Sequence, residues 1–166
     1  MGVNFRAVQI ASLALPLFLL GGAYASQYAG GLYPCEMCWW QRYPHMAAVP
    51  VALIGFFLPG HFVKRVCAAL AAFAVFSSGI IGGFHAGVEY GWWQGITGCT
   101  SAITGSGADY MKAILEAPLL RCDVAPWKLF GISLAGYNFL LSCGGAIAIL
   151  WSLWKIRNSP KPKQQA

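Results

Sequence analysis

Charge is what this sequence has least of. Only 10% of its 166 residues are Asp, Glu, Lys or Arg, and five are acidic, whereas an ordinary soluble domain carries roughly 25% charged residues. A chain this poor in charge cannot cover a water-facing surface, which excludes a soluble globular protein. The 58% of hydrophobic residues and a mean hydropathy of +0.58 describe an integral membrane protein instead. The few basic residues are divided among separate segments, so no contiguous patch exists for nucleic acid, and none is expected as a partner.

Four stretches lack charge altogether: residues 7–35, 43–63, 66–88 and 129–154. Each can supply the roughly 20 apolar residues that a helix needs to cross hydrocarbon. A fifth uncharged run, 90–108, holds five glycines with scattered Ser and Thr; its backbone would not satisfy itself in lipid, and it reads as loop. The expectation is an all-α membrane protein, a four-transmembrane-helix bundle forming one domain over 1–166, with spans near 8–28, 41–58, 66–88 and 129–154. Arg6, the apolar core and Ala23-Tyr24-Ala25 before Ser26 also fit a signal peptide. The apolar stretch nevertheless runs on to Tyr28, longer than the usual core of about 7–15 residues, and an uncleaved helix is expected.

Acidic residues are missing from one side of this layout. The tails 1–7 and 155–166 and the turn 59–65 hold Arg6, Lys64, Arg65, Lys155, Arg157, Lys161 and Lys163 without an acid among them. By the positive-inside rule that side is cytoplasmic. The outer loops 29–40 and 89–128, with Arg42 at a span boundary, take the other four basic residues and all five acids. The net charge of +6 then reflects topology and attraction to anionic inner-leaflet lipid.

Four of the six cysteines fall in the outer loops, in the oxidising compartment: Cys35, Cys38, Cys99 and Cys122. Cys67 and Cys143 lie within spans and read as small apolar packing residues. Three chemistries fit the outer four: structural disulfides, a four-thiolate zinc site, or two dithiols that exchange a disulfide. Cys35-x-x-Cys38 closes too small a loop to brace a fold, and such pairs are typically redox-active or metal-binding. Cys99 and Cys122 have 22 residues between them, without the short spacing of a zinc knuckle. Exchange is favoured and no metal is assigned; a non-enzymatic four-span protein with structural outer disulfides or a four-cysteine zinc site is the alternative.

Local physics agrees with exchange. Pro34 precedes the pair and Trp39 opens the apolar run, placing Cys35 and Cys38 in the first turn of a helix, where free N–H groups and the positive dipole end favour a thiolate. Arg42 lies four residues beyond Cys38, one turn on. An arginine there either snorkels to headgroups or serves the site, favouring the thiolate and polarising the carbonyl of a bound oxidant. Met111, Ile114, Leu115 and Pro118 recur at helical spacing, with Asp109, Lys112 and Glu116 free to face water, so 109–120 is expected to be a short interfacial helix in the second outer loop.

Cys35-x-x-Cys38 with Gln41-Arg42, then His85-Ala86-Gly87-Val88-Glu89-Tyr90-Gly91-Trp92-Trp93 leading to Cys99, then Arg121-Cys122-Asp123-x-x-Pro126-Trp127, together resemble the DsbB family of quinone-linked disulfide oxidoreductases of bacterial inner membranes, over nearly the whole chain. The resemblance implies a multi-pass inner-membrane protein with cytoplasmic termini and periplasmic redox loops. It implies that Cys99 forms a mixed disulfide with a periplasmic DsbA-like thioredoxin-fold protein, that Cys122 exchanges with the first pair, and that Cys38 meets ubiquinone or menaquinone as cofactor. Arg42 and His85 would then be cofactor-binding residues, Glu89 a weaker candidate. His45 shares the face of Cys38 and either contacts quinone or fills the bundle; His61 falls in the cytoplasmic turn. Vitamin K epoxide reductases share the four-helix logic, but there the loop cysteines precede the Cys-x-x-Cys; here they follow. Haem ligation by His45 and His85 has no further support in the sequence.

Overall fold

A computed structural model describes residues 4–98 and 121–158. Four long helices make up nearly all of it: α1 (Phe5–Tyr28), α2 (Glu36–Phe57), α3 (His61–Glu89) and α4 (Leu134–Asn158), with a two-stranded hairpin, β1 (Lys128–Leu129) and β2 (Ile132–Ser133), before the last. Each boundary has a local cause. Asn4 caps α1, its side-chain oxygen accepting from the Arg6 N–H. Gly60, at φ 89°, turns the chain into α3. Phe130 and Gly131 both have positive φ, the requirement of a two-residue hairpin turn of type I′. The run expected to span from 129 therefore spends its first residues in that hairpin, and α4 starts at Leu134, where Ser133 Oγ accepts from the Gly136 N–H as an N-cap.

By length and composition α1, α3 and α4 can each cross a membrane. Large apolar side chains point outward all around them, among them Phe18, Phe73 and Ile147, as lipid-facing surfaces require. Inside, α3 packs against both α2 and α4 through small residues, Ala68, Ala71 and Ala72 meeting Ala48, Ala52 and Ala146. Small side chains let backbones approach, the source of association where lipid offers no hydrophobic gain. The two cysteines read as packing residues lie in this contact: Cys67 against Gly55, and Cys143 against Gly79, where an added Cβ would come within 2.6 Å of its sulfur.

At one end of the bundle the start of α2, the end of α3 and the start of α4 converge. Tyr90 stitches this rim, its hydroxyl donating to Gly131 O and accepting from Ser133 N–H, both at 3.0 Å. Trp93 folds back over Gly87, stacks on Phe84 and donates to the Phe84 carbonyl. Cys99 and the segment 109–120 lie outside the described residues.

Candidate functional site

Cys35 is the N-cap of α2 and Cys38 stands in its first turn. The Cys35 thiol donates to Cys38 Sγ at 3.2 Å. Both cysteines are free thiols, as is Cys122. The chain returning from the second loop delivers Cys122 to the same spot, where it is fully buried with Cys35, Met37 and Val88. Thr97 donates to its sulfur at 3.5 Å. Cys35 thus lies 3.2 Å from the Cys38 sulfur and within 4.8 Å of the Cys122 sulfur.

Their acidities differ by position. Hydrogen bonding to Cys38, with burial, pushes the Cys35 thiol up to about 12, and burial raises Cys122. Cys38, above the uncharged run that starts at residue 43, is lowered, first by the hydrogen bond it accepts from Cys35. Of the pair, Cys38 is therefore the thiol that gives up its proton more readily. Beside Cys122, Arg121 forms an exposed fork with Asp123, which lowers that carboxyl.

A chain of amides fixes the histidines. Gln41 Nε2 donates to the Met37 carbonyl at 3.2 Å and faces His85 Nδ1 at 2.9 Å. A carbonyl can only accept, so the amide nitrogen is fixed on that side and His85 Nδ1 is an acceptor. The His85 proton then sits on Nε2, which donates to the Cys122 carbonyl at 3.2 Å and lies 3.7 Å from Cys35 Sγ and 3.8 Å from Glu89 Oε1. Further down, Asn138 Nδ2 donates to Gln41 Oε1 at 2.9 Å and to the Ser78 carbonyl at 3.2 Å. Its Oδ1 is left to accept from Ser142 at 2.8 Å and from His45 Nε2 at 3.1 Å.

This wiring bears on the zinc alternative. Cys35, His85 and Cys122 present ligand atoms within 4.8 Å of one another, compact enough for a metal. A metal on His85 Nε2 would send its proton to Nδ1 and reverse the Gln41 amide against the Met37 carbonyl. A four-thiolate set would instead need Cys99, outside the described residues. The donors present fit a metal poorly.

Arg42 does not reach toward Cys38. It is 5% exposed and turned to α1, donating through Nη1 to Gln27 Oε1 at 2.6 Å and through Nη2 to the Ala23 carbonyl at 3.0 Å, with Tyr24 and Trp39 flanking the guanidinium. The hydrogen bond from Cys35, rather than this cation, is what lowers Cys38. Arg42 and Cys38 nonetheless share one cavity of about 240 Å³, walled by apolar residues such as Phe18, Leu19 and Leu134, with Gln41, His45, His85, Glu89 and Asn138 also on its lining. Gln27, Ser78 and Asn138 escaped the sequence reading, and Gln41 entered it only as part of the Gln41-Arg42 motif; their signal was available as polar side chains inside otherwise apolar spans.

The family model of disulfide bond formation protein DsbB matches residues 5–152. The chain belongs to the DsbB family. Disulfide bond formation protein B of Acinetobacter baumannii is 26% identical over 166 residues, covering 93% of this chain and 94% of that protein. Its namesakes are 29% identical over 146 residues in Verminephrobacter eiseniae, covering 81% and 77%, and 28% identical over 130 residues in Marinobacter nauticus, covering 72% and 74%. No solved structure matches the chain. DsbB membership makes this a membrane protein of disulfide bond formation, with the disulfide oxidoreductase chemistry that the family's name implies.

Proposed function

We propose that the protein reoxidises a periplasmic DsbA-like thioredoxin-fold dithiol and passes the electrons to membrane quinone, ubiquinone or menaquinone. The observation that carries this reading is that the Cys35 sulfur lies close to both Cys122 and Cys38, and that of the three Cys38 lines the cavity. A partner thiolate attacks Cys99 of a Cys99–Cys122 disulfide, forming the mixed disulfide with Cys99 and releasing Cys122 as thiolate. Cys122 attacks Cys35 of the Cys35–Cys38 disulfide, forming a Cys35–Cys122 bond and expelling Cys38 with the electron pair. Exchange runs fastest toward the sulfur of lower pKa, and Cys38 is that sulfur.

Cys38 then bears two electrons at the edge of the cavity. Its apolar walls and the buried cation of Arg42 suit a ring with polar oxygens. Quinone, when bound, supplies a two-electron, two-proton acceptor. Arg42 would hold its carbonyl there, and His85 Nε2–H would stabilise negative charge on the Cys35 sulfur while Cys35 and Cys122 exchange. The partner's second thiol would then displace Cys99 and complete the partner's disulfide, and Cys99 would retake Cys122 and free Cys35. Cys35 and Cys38 would re-form their disulfide as two electrons and two protons pass to quinone; net, the partner's two thiols become its disulfide and quinone becomes quinol.

The reading includes α2 as a fourth span, for its Gln41, Arg42 and His45 are all buried against the bundle. Both termini are then cytoplasmic and the redox loops periplasmic in the inner membrane, with the basic residues distributed accordingly. Mass-tagging of free thiols in the reduced protein, with and without quinone, tests the function: Cys35, Cys38, Cys99 and Cys122 become protected together on quinone addition. Protection independent of quinone would leave only structural disulfides.

A further inference from the structure

His45 stands one turn below Arg42 on α2, so Cys38, Arg42 and His45 follow at i, i+4 and i+7 along one helix face. All three line the cavity. The imidazole is 3% exposed, and its two nitrogens are treated differently. Nε2 is engaged by Asn138 Oδ1. Nδ1 is buried and has no partner.

The network dictates what that free nitrogen can do. The Ser78 carbonyl fixes the Asn138 amide nitrogen on its own side, so the oxygen faces His45. An oxygen can only accept, and the neutral imidazole therefore carries its proton on Nε2. Nδ1 is left as a lone pair, an acceptor in need of a donor. A buried acceptor without a donor forfeits its hydration for nothing in return, so a ligand that brings an O–H into the cavity gains what the protein alone lacks.

We propose that His45 Nδ1 accepts the ring hydroxyl of the quinol, so that the cavity holds the reduced ring more tightly than the oxidised one. The inference rests on the quinone reading above and adds a product-side role to a residue that reading leaves unused. A quinone carbonyl offers Nδ1 no hydrogen, whereas the hydroxyl formed on reduction does. Tighter binding of quinol raises the reduction potential of the bound couple, by about 30 mV for each tenfold in affinity ratio, and so draws electrons out of the dithiol. His45 is in this sense a positioning residue for product.

Equilibrium binding to the purified full-length protein in detergent tests this, with short-chain ubiquinone and menaquinone and the quinol of each. Wild type binds a quinol more tightly than its quinone. His45→Phe lowers quinol affinity about tenfold, the scale of one buried hydrogen bond, and changes quinone affinity less than about threefold; His45→Gln, whose amide oxygen accepts, restores most of the loss. In wild type, a quinol dimethyl ether, the same ring without O–H groups, binds about tenfold more weakly than the quinol, a comparison that stands even if His45→Phe fails to assemble. Equal losses for both redox forms, no loss for either, or undiminished binding of the ether would overturn the inference alone. Failure of every ring to bind wild type would overturn the quinone reading and the inference with it.

Discussion

Gln41 Oε1 and Asn138 Nδ2 meet 2.9 Å apart between α2 and α4, across a site on α3 where Gly82 leaves room: a Cβ there would lie 3.0 Å from each of them and from the Ala135 carbonyl. The polar chain that sets both buried histidines thus depends on a side chain that is not there.

Gly82→Ala is expected to cost about 1–3 kcal/mol, the range for overpacking a close contact and disturbing a buried hydrogen bond. Thermal unfolding in detergent measures it. Gly144→Ala is the control, for a Cβ at Gly144 meets nothing within 4 Å; it should be neutral or slightly stabilising through helix propensity.

Arg42→Ala is expected to lower kcat/KM for quinone about tenfold or more while dithiol exchange with the partner persists, because Arg42 lines the cavity but does not touch the sulfurs. Gln27→Leu should produce a weaker form of the same defect by freeing the guanidinium from one of its two tethers on α1. Steady-state quinone kinetics beside a partner-oxidation assay decide; unchanged turnover and affinity for quinone in Arg42→Ala would remove the residue from the site.

The differing environments of these thiols predict an order of reactivity. Only thiolates alkylate rapidly; with Cys35 pushed up to about 12 and Cys38 lowered, iodoacetamide on the reduced protein at about pH 7–8 should mark Cys38 first and spare Cys35. Cys35 labelling should climb as pH rises toward about 12. A raised thiol pKa also stabilises the reduced fold below the ordinary value of 9.0 and loses that contribution as pH climbs through about 12. Peptide mapping after brief labelling reads the order directly, and preferential labelling of Cys35 would reverse the assignment.

Cys122→Ser should trap a disulfide between Cys99 and the periplasmic partner that survives non-reducing electrophoresis, and Cys99→Ser should abolish it. Capture of the same partner through Cys67 or Cys143 would contradict their burial in the bundle.

For the layout, an impermeant thiol reagent on reduced spheroplasts should label a single-cysteine variant keeping Cys99, and spare a cysteine-free variant carrying Lys64→Cys. Labelling at this position would invert the topology.

Much of the architecture was legible from where charge is missing, since hydrocarbon tolerates only long apolar helices, and Cys35-x-x-Cys38 announced its own helix turn because that geometry is local. What stayed hidden depends on register between helices. Arg42 looked aimed at Cys38 because i and i+4 share a face, yet acceptors on α1, Gln27 and Ala23, outcompete that neighbour. The start of α4 was misplaced by several residues, because Phe130-Gly131 reads as apolar sequence but folds as a turn. Gln41 and Asn138 are 97 residues apart, and no periodicity along one segment could pair them.

The Tyr90 hydroxyl, bonded to Gly131 on one side and Ser133 on the other, joins the end of α3 to the threshold of α4, so the second loop leaves from and returns to one fixed rim. A chain anchored at both ends confines whatever is bonded to it. On the proposed function, a partner captured on Cys99 would become part of this molecule, and its encounter with the sulfurs at the bundle rim would be governed by an effective concentration in the millimolar range, set by tether length. However dilute that partner, each capture would turn a collision into a first-order event.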